Sequence, residues 1–136
     1  MNERYIRQTM IPGIGEAGQE KLKNAKVLIV GIGGLGSPIS LYLTAAGVGQ
    51  IGLIDDDIVS KSNLQRQILY TEAEIGQSKV ECACRRLSAL NSSTRFETYP
   101  NRFTPDNANR LVSAYDIIVD GCDNAATRYL IDDVCS

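Results

Sequence analysis

The chain is predicted to be an α/β protein, a parallel sheet with helices on both faces. Three observations predict this. Short runs of apolar, often β-branched residues recur along the 136 residues. Amphipathic helical patterns separate them, and the first run, Lys26–Val30, leads straight into a glycine-dense turn, Gly31-Ile32-Gly33-Gly34-Leu35-Gly36. Strands alternating with helices require crossover connections and hence parallel pairing, and parallel strands are covered on both sides. A glycine turn between the first strand and a helix makes the arrangement Rossmann-like.

The elements follow in order. Residues 15–24 form a helix, with Gln19, Glu20, Lys21 and Lys23 suited to solvent and Ala17 and Leu22 available for packing. They end an N-terminal helical arm over residues 1–25. After the glycines, Ile39, Leu41, Leu43 and Ala46 give an apolar helix that stops at Gly47-Val48-Gly49. The second strand is Gln50–Ile54, an apolar run like the first. Residues 78–90 form a helix with Val80, Cys84, Leu87 and Leu90 on one side. Phe96 and Tyr99 mark a third strand, residues 105–113 a helix, and Tyr115–Asp120 a fourth strand. A last helix begins near Asn124. Residues 1–136 are expected to form one domain, whose sheet reads as truncated on its C-terminal side.

Composition narrows the function. With 43% hydrophobic and 22% charged residues, the balance is that of a globular domain in water. A net charge of −2 argues against a nucleic-acid partner held by general electrostatic attraction. No apolar run reaches membrane-spanning length, and Met1-Asn2-Glu3-Arg4 opens no signal-peptide core, so a cytoplasmic location and no membrane partner are expected. There is no histidine, which removes the commonest general base and metal ligand. Of the four cysteines, Cys84 is expected to be buried on the apolar stripe of its helix, and no pair has the C-x-x-C spacing of a zinc site. Nothing near Cys122 or Cys135 in sequence lowers a thiol pKa.

Gly31, Gly33 and Gly36 put backbone N–H groups at a helix N-terminus, where a phosphate is the natural occupant. Asp55 ends the second strand at about the distance of a ribose-binding acid, which supports adenosine without separating a dinucleotide from ATP. Asp57 is suited to anchoring the loop that follows, and Asp56 to solvent. The next segment, Ser62-Asn63-Leu64-Gln65-Arg66-Gln67, is rich in donors: Arg66 offers a planar fork to phosphate oxygens and Asn63 a neutral amide. Lys79 adds a point charge. Asp123, after the fourth strand, is either a helix N-cap or a magnesium ligand.

Taken in order, the glycine turn, Asp55, Ser62–Gln67, Lys79 and Asp123-Asn124-x-x-Thr127-Arg128 resemble the ThiF/MoeB/HesA family. This is the bacterial branch of the ubiquitin-activating-enzyme-like superfamily. Arg4-Tyr5-Ile6-Arg7-Gln8 and Gly18-Gln19-x-Lys21-Leu22 match its N-terminal pattern. The resemblance implies an adenylyltransferase that uses ATP and Mg²⁺ to activate the C-terminal glycine of a ubiquitin-fold sulfur carrier ending in Gly-Gly, of the thiamine or molybdopterin type. It implies that Gly34 and its neighbours approach the phosphates and that Asp55 binds the ribose. Within the motif Ser62, Asn63, Leu64, Gln65 and Arg66, it implies that Asn63 and Arg66 hold the phosphates, with Lys79 beside them. Asp123 would coordinate magnesium, with Asn124 next to it. Arg7 matches an arginine that reaches into the partner's ATP site in family homodimers. The Cys-x-x-Cys pairs for structural zinc are absent from these residues, so no zinc is assigned.

The chemistry suits this inventory. A carboxylate nucleophile is already ionised at neutral pH and needs no base, and the obstacle is repulsion between anions, which cations and aligned N–H groups relieve. Two alternatives stay open: a non-catalytic ATP-binding or dimerisation remnant, and an NAD-dependent oxidoreductase. The second leaves Asn63, Arg66 and Lys79 without a task.

Overall fold

The computed structural model of the protein describes residues 15–33, 36–60 and 69–121, with side chains from residue 18 onward. Its elements are α1 (Gly15–Asn24), β1 (Lys26–Val30), α2 (Gly36–Ala46), β2 (Gln50–Ile54), α3 (Lys79–Leu90), β3 (Arg95–Tyr99), α4 (Pro105–Ala114) and β4 (Ile117–Asp120). A single 3₁₀ turn, Glu72–Glu74, precedes α3. The four described strands are parallel in the order β3-β2-β1-β4. The two halves of the chain therefore diverge from β1.

Alternate residues of a strand face opposite ways, and here both ways lead to cover. Val27 and Ile29 of β1, with Ile51 and Leu53 of β2, join Leu41 and Leu43 of α2 and Val80, Ala83 and Leu87 of α3 in one core. Leu22 of α1 packs against the same core. Leu28, Val30 and Ile54 go to the other face, where Ala108 and Leu111 of α4, Phe103, Tyr99 and Tyr115 cover them. Among the described residues, no helix is long and apolar enough to cross a membrane.

Two expectations change in detail. Cys82, not Cys84, is the fully buried cysteine of α3, and Leu90 is partly exposed. The helix points Val80, Ala83 and Leu87 inward, and the i+3 neighbour of Lys79 rides with them. Cys84 is half-buried, its Sγ 3.9 Å from Ser88 Oγ. The fourth strand also starts later. Tyr115 closes α4, its N–H donating to the Val112 carbonyl at 3.3 Å. Asp116 then sets the register: its N–H donates to the Lys26 carbonyl at 2.8 Å, and its Oδ2 accepts from the Lys26 N–H at 2.9 Å.

The strands' carboxyl ends gather the features that matter for function. Gly121, just past β4, donates its N–H to the Val30 carbonyl at 2.8 Å. A Cβ there would lie 2.7 Å from the Gly31 carbonyl oxygen, so the chain leaves β4 hard against the glycine turn.

Candidate functional site

The turn after β1 is held from several directions. Gly31 has a φ of 91°, a backbone state that side chains disfavour, and its N–H donates to the Ile54 carbonyl at 2.9 Å. The Ile32 side chain is 0% exposed and anchors the turn in the core. Ser37 donates its N–H to the Gly33 carbonyl at 2.9 Å, which starts α2. Gly36 is required by closeness: a Cβ at this position would overlap the Gly31 carbonyl group. Gly31 and Gly33 therefore lie at the N-terminus of an 11-residue helix that Gly36 opens.

Asp55 is brought directly to this turn. Its Oδ2 accepts the Ile32 N–H at 2.8 Å, and its Oδ1 accepts the Asp57 N–H, also at 2.8 Å. One carboxylate thus ties the glycine turn to the loop after β2. This anchoring of the loop was expected of Asp57, and the structure gives it to Asp55. Asp57 is instead turned to Lys79, whose Nζ donates to its Oδ2 at 3.4 Å.

Lys79 reaches that position because the chain pairs with itself. Val59 N–H donates to the Gln77 carbonyl (2.9 Å), Gly76 N–H to the Val59 carbonyl (2.8 Å) and Lys79 N–H to the Asp57 carbonyl (3.1 Å). This short antiparallel contact delivers the first turn of α3 to the end of β2. The Lys79 side chain is 4% exposed and that of Asp57 is 68% exposed. A buried ammonium with one carboxylate at its rim is well placed to meet a further anion. Asp56 is exposed as expected and lies 3.8 Å from Arg102, a pair too open to contribute much.

Sequence reasoning passed over Tyr70. It is buried, and its hydroxyl donates to the Ile32 carbonyl at 2.7 Å, with Ser37 Oγ donating to the same oxygen at 3.4 Å. Burial, with the Asp55 carboxylate adding to it, pushes the Tyr70 phenol well above the ordinary tyrosine range, so it remains a donor. The one signal in sequence is an aromatic residue with a polar tip placed just after the polar run 62–67. Burial also pushes the Cys82 thiol up, with Glu74 adding to it, and Arg85 Nη2 lies 3.3 Å from its sulfur. Cys82 is thus a packed hydrophobe and not a nucleophile.

A model of the ThiF family matches residues 5–136. The chain belongs to the ThiF family. It is 50% identical over 131 residues to the sulfur carrier protein adenylyltransferase of Thermus thermophilus, covering 96% of this chain and 48% of that protein. It is 49% identical over 132 residues to the adenylyltransferase and sulfurtransferase MOCS3 of Mus musculus, covering 97% of this chain and 29% of that protein. Among solved structures, E. coli tRNA N6-threonylcarbamoyladenosine dehydratase, TcdA, superposes with a TM-score of 0.92 at 29% identity, over 98% of this chain and 55% of that one. TcdA has been solved in complex with ATP and with AMP. The chain thus spans about half or less of the length of these curated relatives.

Of the ThiF-family motif residues, Gly31, Gly33, Gly36, Asp55, Asp57 and Lys79 gather at the carboxyl ends of β1 and β2. Arg7, Gly34, Ser62, Asn63, Leu64, Gln65, Arg66, Asp123 and Asn124 lie outside the described residues, as do Cys122, Cys135 and the helix expected near Asn124.

Proposed function

We propose that this ThiF-family chain carries the ATP site of an adenylyltransferase that activates the C-terminal glycine of a ubiquitin-fold sulfur carrier. The observation that carries the reading is the Ile32 N–H bond to Asp55, which joins a phosphate-binding turn and a ribose-binding acid into one unit. TcdA, with the same fold, binds ATP, and the relatives at about 50% identity are adenylyltransferases. In this reading the ribose hydroxyls donate to Asp55, and the phosphates lie along the glycine turn towards Lys79, with Asn63 and Arg66 completing the cradle.

Magnesium fits the same site. Mg²⁺ is commonly held by one or two carboxylates together with phosphate oxygens. Gly121 packs on the glycine turn and Asp123 follows it by two residues in sequence, which supports Asp123 as the carboxylate that would hold the ion. When bound, the ion neutralises phosphate charge.

The reaction moves no proton to a base. A carboxylate oxygen of the carrier's terminal glycine bonds to the α-phosphorus, the bond from that phosphorus to the bridging oxygen breaks, and pyrophosphate leaves with the electron pair. Lys79, Arg66 and, in a homodimer, Arg7 of the partner subunit offset the charge gathered at the phosphates. Thiamine-type and molybdopterin-type carriers are both candidate substrates, with the cytoplasm as the place of reaction.

The test is carrier-dependent ATP–pyrophosphate exchange with a ubiquitin-fold carrier ending in Gly-Gly. Arg66→Ala is expected to abolish exchange and leave the circular dichroism spectrum unchanged. Wild-type protein that binds ATP but exchanges no pyrophosphate with either carrier type refutes adenylation by this chain. That outcome favours the non-catalytic ATP-binding module.

A further inference from the structure

We infer that Tyr70 is a positioning residue of the glycine turn, orienting the Ile32–Gly33 peptide so that the Gly33 N–H faces the bound phosphate; the inference rests on the nucleotide reading above. A trans peptide is flat, and its C=O and N–H point in opposite directions. Among the described residues every peptide bond is trans. The Ile32 carbonyl is drawn inward by the Tyr70 hydroxyl at 2.7 Å, from a side chain that is 5% exposed. The N–H of the same peptide belongs to Gly33, and it must point away from the core. Gly33 is only half-buried, as a backbone donor facing a ligand must be.

The neighbouring peptide is held from the opposite side. Its N–H, that of Ile32, is fixed by Asp55 Oδ2 at 2.8 Å. Two consecutive peptide planes are therefore set by two side chains distant in sequence, one at the end of β2 and one just before the 3₁₀ turn that leads into α3. Asp55 faces the ribose side and also serves the loop. Tyr70 is 5% exposed and its hydroxyl is spent on the Ile32 carbonyl, so it acts on a nucleotide through the peptide it orients. Glycine at position 33 adds no side-chain restraint on its end of that peptide, and the Tyr70 hydroxyl supplies the shorter of the two bonds to the Ile32 carbonyl, the other coming from Ser37 Oγ at 3.4 Å. Preorganised N–H donors bind an anion without a reordering cost at the moment of binding.

Tyr70→Phe removes the hydroxyl and keeps the buried ring. Wild type and variant would be titrated with Mg·ATP and with adenosine by NMR, and amide hydrogen exchange of residues 31–36 measured without ligand. The variant is expected to bind ATP about five- to tenfold more weakly, in line with the loss of one oriented donor. Its adenosine affinity is expected to stay within about twofold and its turn amides to exchange faster, the global melting transition being little moved. Equal ATP affinity in both proteins overturns the inference. So does an equal fold-loss for adenosine, since that marks a general effect on the fold. If the wild type takes neither ligand, the nucleotide reading fails. The exchange measurement then decides by itself whether the hydroxyl sets the turn, and unchanged exchange overturns that as well.

Discussion

Replacing Asp55 with alanine removes two hydrogen-bond acceptors, and the structure separates their costs. Each Asp55 oxygen takes one backbone N–H at 2.8 Å, from Ile32 and from Asp57. A hydrogen bond to a charged partner contributes about 1.5–3 kcal/mol, and a buried donor left unmet costs about 1–3 kcal/mol. Asp57 is exposed, so its freed N–H passes to water at little cost. Ile32 is 0% exposed, and its N–H has no such recourse. The expected loss for Asp55→Ala is therefore about 2–3 kcal/mol, nearly all of it from the Ile32 bond. Asp55→Asn separates the two contributions further. Its amide oxygen can turn to the Ile32 N–H and leave the NH₂ group towards the exposed Asp57 N–H, so a loss of about 1 kcal/mol is expected. Urea unfolding at neutral pH measures both, with equal m-values as the check that the unfolded state is unchanged. An alanine variant as stable as the wild type, or an asparagine variant as damaged as the alanine one, refutes this account of the turn.

Three further outcomes follow from the same geometry. Lys79→Met replaces a buried ammonium, whose partner Asp57 can turn to water, by an apolar chain; stability should change by no more than about 1 kcal/mol. Calorimetry should nevertheless show ATP affinity down at least about tenfold, and an undiminished affinity removes Lys79 from the site. Gly36→Ala places a Cβ 2.9 Å from the Gly31 carbonyl carbon and closer to its oxygen. Both atoms are backbone, so a loss of about 1–3 kcal/mol should accompany weaker nucleotide binding, and a variant normal in both contradicts the packing. Alkaline pH should also unfold the protein. Burial, helped by Asp55 at Tyr70 and by the Tyr99 hydroxyl at Tyr115, raises both phenols above the free value of 10.0. The unfolded chain then releases those protons near pH 10 while the folded chain keeps them. Their contribution is whole below that pH and falls above it, by about 1.4 kcal/mol per pH unit for each tyrosine. Urea midpoints from about pH 8 to about pH 11 measure the slope, which Tyr115→Phe should roughly halve.

The strands, and the helices between them, could be read from the residues because β1 and β2 are apolar on both faces and the helices are not. Periodicity of that kind belongs to the local sequence. The places of the glycine turn between β1 and α2 and of Asp55 at the end of β2 were equally open to reading, since they depend on the strand–turn–helix order. What could not be read is what depends on contacts remote in sequence. Tyr70 meets Ile32 across 38 residues. Lys79 is buried because residues 57–59 pair with residues 76–79, and a lone lysine otherwise looks like surface. That Asp55 anchors the loop while Asp57 pairs with Lys79 is of the same kind. Two acids two residues apart look alike in sequence, and only the turn's N–H and the lysine's position distinguish them. Cys82 and Cys84 show the limit of an apolar stripe, because a helix that buries a wide face takes in the i+3 neighbour of Lys79 and leaves Leu90 partly exposed.

Asp55 explains why the sugar and the phosphates of a nucleotide would be recognised together. A carboxylate offers about four lone-pair sites. Two are taken by the Ile32 and Asp57 N–H groups, which leaves as many as a ribose edge has hydroxyls. On the proposed reading, the residue that reads the sugar also shapes the glycine turn, so ribose binding could not be varied without disturbing the turn. Charge favours one direction for the nucleotide in the proposed site. Asp55 and Asp56 disfavour phosphate beside them, while the start of α2 and Lys79, which also holds Asp57, attract it. In the proposed site the triphosphate runs along the glycine turn, across the Gly33 N–H and towards Lys79. Tyr70, 5% exposed, holds the Ile32 carbonyl at that crossing.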